Sequence, residues 1–458
     1  MSVVYLLAGF GVAMAALALI FTRETVGKEG FLVANRELGL WPSALSIAAT
    51  WTWAPALFIA SQMAYQKGVI GLFWFVVPNV LCLIIFSEFA ARLRDRMPQG
   101  YTLPEFMGKI HSARVKRVYL VQMIGLSTCS FAVQLLAGGL IFSTLTGLPF
   151  LPVTLALSFI ALSYSLWSGL KSSVLTDYVQ TIIIFAVAGT LIPWAISSAG
   201  GISVVQDGMG GISGQFTNIF SKQGLDVFLA FGLATTIGLL SGPFGDQSFW
   251  QRALATKKEA VRRAFILGAF IFGAIPLSLS LLGFLAAGAG LETDNAQLIN
   301  IQTVLEFLPS WTAIPFTVML LAGLISTLDS CLCAVSSMTG SDFDSKKPVA
   351  AARAGMLLLA LGAVLIANIP GMQILYLFLF YGTLRAATML PTILSLTMEK
   401  LSEPGVFYGL LASICVGLPV FAYGNFNQVV PFIVAGSLLT VLLSGGIAYI
   451  TTRRMNDS

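Results

Sequence analysis

Four side chains in one apolar stretch have the types and spacing to hold a cation. Ser326, Thr327, Asp329 and Ser330 lie within the run AGLISTLDSCLCAVSSMTGSD at 322–342. On a helix, Asp329 and Ser330 stand three and four residues after Ser326, so the three share one side and Thr327 flanks it. Hydroxyls with one or two carboxylates give a hard monovalent cation oxygen ligands without burying a naked charge. Serines that bond back to the carbonyl four residues earlier would explain the hydroxyls but not Asp329. A second carboxylate, Asp177 in SGLKSSVLTDYVQTIIIF, has Thr176 beside it and Ser173 one turn before. Ionisable groups in apolar helices are costly and persist where they pair or line a path.

Backbone oxygens are the other candidate ligands. The stretch WPSALSIAATWTWAPALFIASQMAYQKG carries Thr50, Thr52 and Pro55 in its middle. A proline there removes a helix bond and crowds the preceding turn, which frees carbonyls for a cation; the alternative is a kink packed by neighbours. Trp51 and Trp53 place two large rings at the same depth.

These residues need a membrane scaffold to position them. Of 458 residues 57% are hydrophobic and 10% charged, and mean hydropathy is +0.88, a composition outside the soluble range. Thirteen stretches reach the roughly 20 apolar residues that span a bilayer: near 3–21, 41–66, 69–93, 114–146, 151–169, 170–199, 225–247, 258–290, 311–340, 347–368, 371–398, 404–424 and 426–451. With the N-terminus outside and the C-terminus cytoplasmic, every lysine and arginine from Arg23 to Arg454 except Lys67, Lys222 and Arg385 falls in an inner loop or the C-terminus. That asymmetry supports the count and the orientation. It also accounts for the net charge of +5 without a nucleic-acid partner.

The first stretch lacks a basic leader and a small-residue cleavage site, so it reads as a retained helix. The five cysteines all sit in apolar segments, which argues against a disulfide framework or a metal site. His111 reads as a solvated loop residue. Asp246 in SGPFGDQSFWQRA reads as a helix cap or a partner of Arg252, and Glu88 as a partner of neighbouring arginines. Arg385 reads as snorkelling to the inner surface, or as a carboxylate partner if it faces a cavity. The gaps 200–224 and 291–310 connect helices or cap an outer vestibule.

Several runs, in order and spacing, resemble the sodium:solute symporter family along nearly the whole chain: FLVANRELGLWPSALSIAAT, AYQKGVIGLFW, GLKSSVLTDYVQ, FWQRALATKKEAVRRA and ISTLDSCLCAVSSMTGSDF. The resemblance implies an all-α polytopic fold of about 13 transmembrane helices. Its 5+5 inverted repeat of the leucine-transporter type has halves near 41–199 and 225–398, one helix before them and two after. It implies a sodium site from the carbonyls of Ala49, Thr52 and Gly323 and the hydroxyls of Ser326 and Thr327. A second sodium ion would lie at Asp177, Ser326 and Ser330 beside Asp329. The solute cavity would be lined by Trp51, Trp53, Ala56, Phe75 and Gln134.

WTWAP with AYQKGVIGLFW is most similar to the urea branch, although Pro55 and ALFIAS depart from it. The expected function is sodium-coupled uptake of a small polar solute, urea or a similar molecule, across a cell membrane, expected to be a bacterial inner membrane. Uptake of an amino acid or carboxylate, or a passive channel, is the alternative. An enzyme is disfavoured by the lack of a nucleophile–base pair or cofactor motif in the segments.

Overall fold

A computed structural model describes residues 2–22, 27–343 and 345–457, without the side chains of 2–4, 145, 456 and 457. Arg23, counted above among the inner-loop cations, lies outside the described residues. The chain is helical, and the one β-bridge among the described residues is an isolated parallel one between Leu38 and Thr256. The helices that build the site are α1 (Ser2–Phe21), α2 (Leu40–Trp51), α3 (Ala54–Arg96), α4 (Ala113–Thr146) and α5 (Phe150–Ser168), followed by α6 (Leu170–Ser198), α7 (Gln247–Ala255), α8 (Val261–Gly288), α9 (Ala313–Ser341) and α10 (Ile374–Thr397).

Eleven described helices are long and apolar enough to cross a membrane, and Tyr5–Phe21 is a shorter apolar one. The expected thirteen is therefore not reproduced by length alone. The difference lies at the N-terminal end, where the stretches expected at 41–66 and 69–93 fall in α2 and in the single 43-residue α3. A straight helix of that length would run about 65 Å, twice the hydrocarbon thickness. Instead α3 is divided at Gly68, whose φ of 55° and ψ of −150° are open to glycine. A Cβ there would also lie 2.4 Å from the Met209 carbonyl oxygen. The glycine-rich segment after 200 packs on this bend, with Ile212 N–H donating to the Tyr65 carbonyl at 2.8 Å.

Helix α9 is the most enclosed of the eleven. It packs against α6, α4, α2 and Pro348–Ala367, while α8 lies along α3 and α2. The outer faces of the bundle carry exposed apolar side chains such as Val121, Phe159 and Leu358, as lipid contact requires. All five cysteines are free. No group of three histidine, cysteine or acidic side chains able to hold a metal occurs among the described residues.

Candidate cation and solute sites

The helix expected at 41–66 is interrupted where the sequence placed the break. Helix α2 ends at Trp51, Thr52 leaves helical geometry at φ −83° and ψ 65°, and Trp53 is extended. Pro55 sits in the first turn of α3, where its missing N–H costs nothing. The Thr52 N–H is shared between the Ala48 and Ala49 carbonyls, at 2.9 Å each. The freed N-terminus of α3 is capped across the bundle by Gln134, whose Oε1 accepts the Ala54 N–H at 2.7 Å. Gln134 thus sits on the backbone of the break, held also by its own bond to the Ser130 carbonyl.

Helix α9 presents its hydroxyls to this break. The Thr327 hydroxyl donates towards the Thr50 carbonyl at 3.2 Å and the Gly323 carbonyl at 3.4 Å. A Cβ on Gly323 would lie 3.1 Å from the Thr52 carbonyl oxygen and 2.8 Å from Leu57 Cδ1. Thr52, Gly323 and Thr327 are therefore brought together, with the Thr50 carbonyl as an oxygen that sequence reasoning did not include. Each donating hydroxyl keeps lone pairs, so this oxygen set could hold a hard monovalent cation. Gly323→Ala crowds the cradle at a cost of about 1–3 kcal/mol. The sodium concentration for half-maximal uptake should rise about 5-fold or more; unchanged sodium dependence would place the site elsewhere.

Ser326 turns to the second carboxylate. Its hydroxyl donates to Asp177 Oδ1 at 2.5 Å, and Ser46 donates to Oδ2 at 2.5 Å. The space expected for a second sodium ion contains a guanidinium. Arg252 on α7, counted above as an inner-loop cation, is fully buried. Its Nη2 lies 3.2 Å from Asp177 Oδ2 and donates to Ser330 Oγ at 2.7 Å, and its Nε donates to Ser46 Oγ at 2.9 Å. Asp329 is held separately: Tyr164 donates to its Oδ2 at 2.6 Å and Ser173 to its Oδ1 at 2.7 Å, with Thr176 at 3.2 Å. Ser330 also bonds back to the Ser326 carbonyl at 2.8 Å, the local bond expected of a serine in an apolar helix.

Asp246 caps α7 by accepting the Ser248 N–H at 3.0 Å and pairs with Arg385 at 2.8 Å, not with Arg252. Arg385 does not snorkel. It is 1% exposed, and its guanidinium carbon stands 4.4 Å from the Tyr381 ring, 5.3 Å from Trp53 and 5.6 Å from Trp51. Trp51 and Trp53 stack at 5.2 Å, and Phe378 joins Trp53 to Phe75 at 5.4 and 6.3 Å. Of the expected cavity residues, Trp51, Trp53 and Phe75 thus form one aromatic box. Ala56 is buried in the first turn of α3. Outside the spans, burial pushes the Asp342 carboxyl above the usual carboxylate range. His111 is half-buried, not solvated, with Nε2 2.9 Å from Ser395 Oγ, and burial holds its imidazole below the ordinary value.

A helix bundle with an interrupted helix facing a hydroxyl-bearing one in its core has the build of a polytopic membrane transporter. Residues 31–413 match the model of the sodium:solute symporter family, and the chain belongs to that family. The family and the relatives found are transporters rather than enzymes. The chain is 23% identical over 92% of its length to the urea-proton symporter DUR3 of Oryza sativa subsp. japonica, and spans 65% of that protein. It is 27% identical over 61% of its length to the probable urea active transporter 1 of Schizosaccharomyces pombe, of which it spans 45%. A sodium/pantothenate symporter of Haemophilus influenzae is 25% identical, with 95% of this chain and 93% of that one covered. In fold, the chain matches a substrate-bound, outward-open Na+-coupled sialic acid symporter at TM-score 0.75, 16% identity and 97% coverage of both chains.

Proposed function

We propose that this chain takes up a small polar solute coupled to sodium by alternating access, with urea or a close analogue as the solute. The observation that carries the reading is the meeting of the Thr52 break with Gly323 and Thr327 of α9. A cation between them would tie the broken helix to α9 and hold one arrangement of the bundle, and its release would let the halves, near 41–199 and 225–398, rock to the other. The wall of solute-facing residues would include Trp51, Trp53, Ala56 and Phe75, with Gln134 positioning the break. Urea is favoured by the aromatic walls and by the likeness to the urea-proton symporter DUR3 of Oryza sativa and the probable urea active transporter 1 of Schizosaccharomyces pombe.

Arg252 supports one coupling ion rather than two. Its guanidinium already neutralises Asp177 and binds Ser330, two of the groups expected to hold a second sodium ion. Each inward charge across 100 mV releases about 2.3 kcal/mol, so one ion supports roughly fifty-fold accumulation on the electrical term alone. The orientation in this proposal has the N-terminus outside and the C-terminus in the cytoplasm. The test is uptake of labelled urea, alanine and acetate into proteoliposomes under an inward sodium gradient, an inward proton gradient or none. Urea accumulation under sodium alone is expected; equal uptake without any gradient would point to a channel, and proton-driven accumulation would refute sodium as the driving ion.

A further inference from the structure

We propose that Arg385 is the solute-recognition residue and that the aromatic box around it takes a neutral, planar carbonyl compound of the urea and primary-amide class. The inference rests on the transport reading above and specifies its solute site. Arg385 Nη2 is spent on Asp246 Oδ2 at 2.8 Å. The other Asp246 oxygen already accepts the Ser248 N–H and hydroxyl, at 3.0 and 2.5 Å. Arg385 Nε and Nη1 have no hydrogen-bond partner among the described residues, and neither do Trp53 Nε1 and the Tyr381 hydroxyl. All belong to side chains whose rings lie within 5.5 Å of the guanidinium carbon or of each other.

The unmet groups are almost all donors, since arginine and indole nitrogens carry hydrogens and accept nothing. Buried donors left open favour a ligand that brings an acceptor oxygen. Charge then selects among acceptors. Asp246 balances Arg385, so a carboxylate would carry an uncompensated negative charge into the box, whereas a neutral carbonyl would not. Shape narrows the choice again, because the box is walled by aromatic rings, with Trp51 and Trp53 stacked on each other at 5.2 Å and Tyr381 and Phe378 edge-on to Trp53. Gly245 lets the arginine stem lie against the turn before Asp246, where a Cβ would sit 2.9 Å from Arg385 Cβ. An open cavity of about 460 Å³ is walled by Met63, Lys67, Asp226 and the α10 residues Leu375 and Leu379, the latter next in sequence to Phe378 of the box.

The experiment is equilibrium binding of labelled urea to the purified full chain in detergent at saturating sodium. No gradient is involved, so normal binding without sodium-driven uptake would sink the symport reading and leave this site standing. Wild type should bind urea, with excess acetamide displacing it and acetate not. Arg385→Gln should weaken binding about 10- to 100-fold. Tyr381→Phe, which keeps the ring, should weaken it about 2- to 10-fold. Because Arg385→Gln strands Asp246, the double variant Arg385→Gln/Asp246→Asn is the folding control: its thermal stability should recover and its urea binding should stay weak. The proposal is overturned if the double variant binds urea like wild type, if acetate displaces better than acetamide, or if the wild type binds neither urea nor acetamide.

Discussion

Replacing Ser326 and Thr327 together by alanine abolishes sodium-driven accumulation and leaves the chain folded. Both side chains are buried on the most enclosed helix, yet each alanine removes only a hydroxyl or a hydroxyl and a methyl. The electrostatic loss is larger. Thr327 loses an oxygen that faces the cation and Ser326 the hydroxyl that holds Asp177, each worth about 1.5–3 kcal/mol, so the pair together is worth roughly 3–6 kcal/mol, or about 100- to 10,000-fold in cation affinity. The two act on one ion, so their effects will not add simply. Asp177 keeps its Ser46 and Arg252 partners in this variant, which limits the structural damage. The measurement is labelled urea in proteoliposomes under an inward sodium gradient. The internal concentration should stop at the external one, and accumulation at wild-type level would remove these hydroxyls from the cation site.

Arg252→Met is expected to be the most destabilising single change at the site. It leaves Asp177 as a buried carboxylate without its cation, a loss of about 3–5 kcal/mol. Asp177→Asn in the same chain removes the stranded charge, so the double variant should regain most of the stability, and the cycle should show strong coupling. Thermal unfolding in detergent checks this, with a sodium titration alongside. Sodium should stabilise Arg252→Met more than wild type, because the vacated space keeps Asp177, Ser46, Ser326 and Ser330 as oxygen ligands. Equal sodium stabilisation of both proteins would show that the guanidinium does not stand in a cation's place.

The parts of the site that follow local rules were legible in the sequence. Ser326, Asp329 and Ser330 declared a shared helix face by spacing, and Pro55 after Thr50 and Thr52 declared the break. The parts that depend on contacts between distant segments were not. Nothing near Gln134 says that it caps Ala54, because the bond joins α4 to the start of α3. Arg252 was assigned to an inner loop by the charge asymmetry, which counts cations per loop and is blind to one folding back into the bundle. A signal was present, since Asp177 and Asp329 lie in apolar segments and need a countercharge. Arg385 was misread for the same reason: its partner Asp246 lies 139 positions away, and an isolated arginine in an apolar run looks like one that reaches for the surface. Helix count depended on Gly68, where one residue's backbone angles divide a stretch that hydropathy alone treats as two segments.

The account depends on one cation held between the interrupted helix and α9, with Arg252 occupying the place of another. Labelled-sodium binding to the purified chain tests this most directly. One ion per chain is predicted, lost in Ser326→Ala/Thr327→Ala. Two ions per chain, or undiminished binding by that variant, would contradict it.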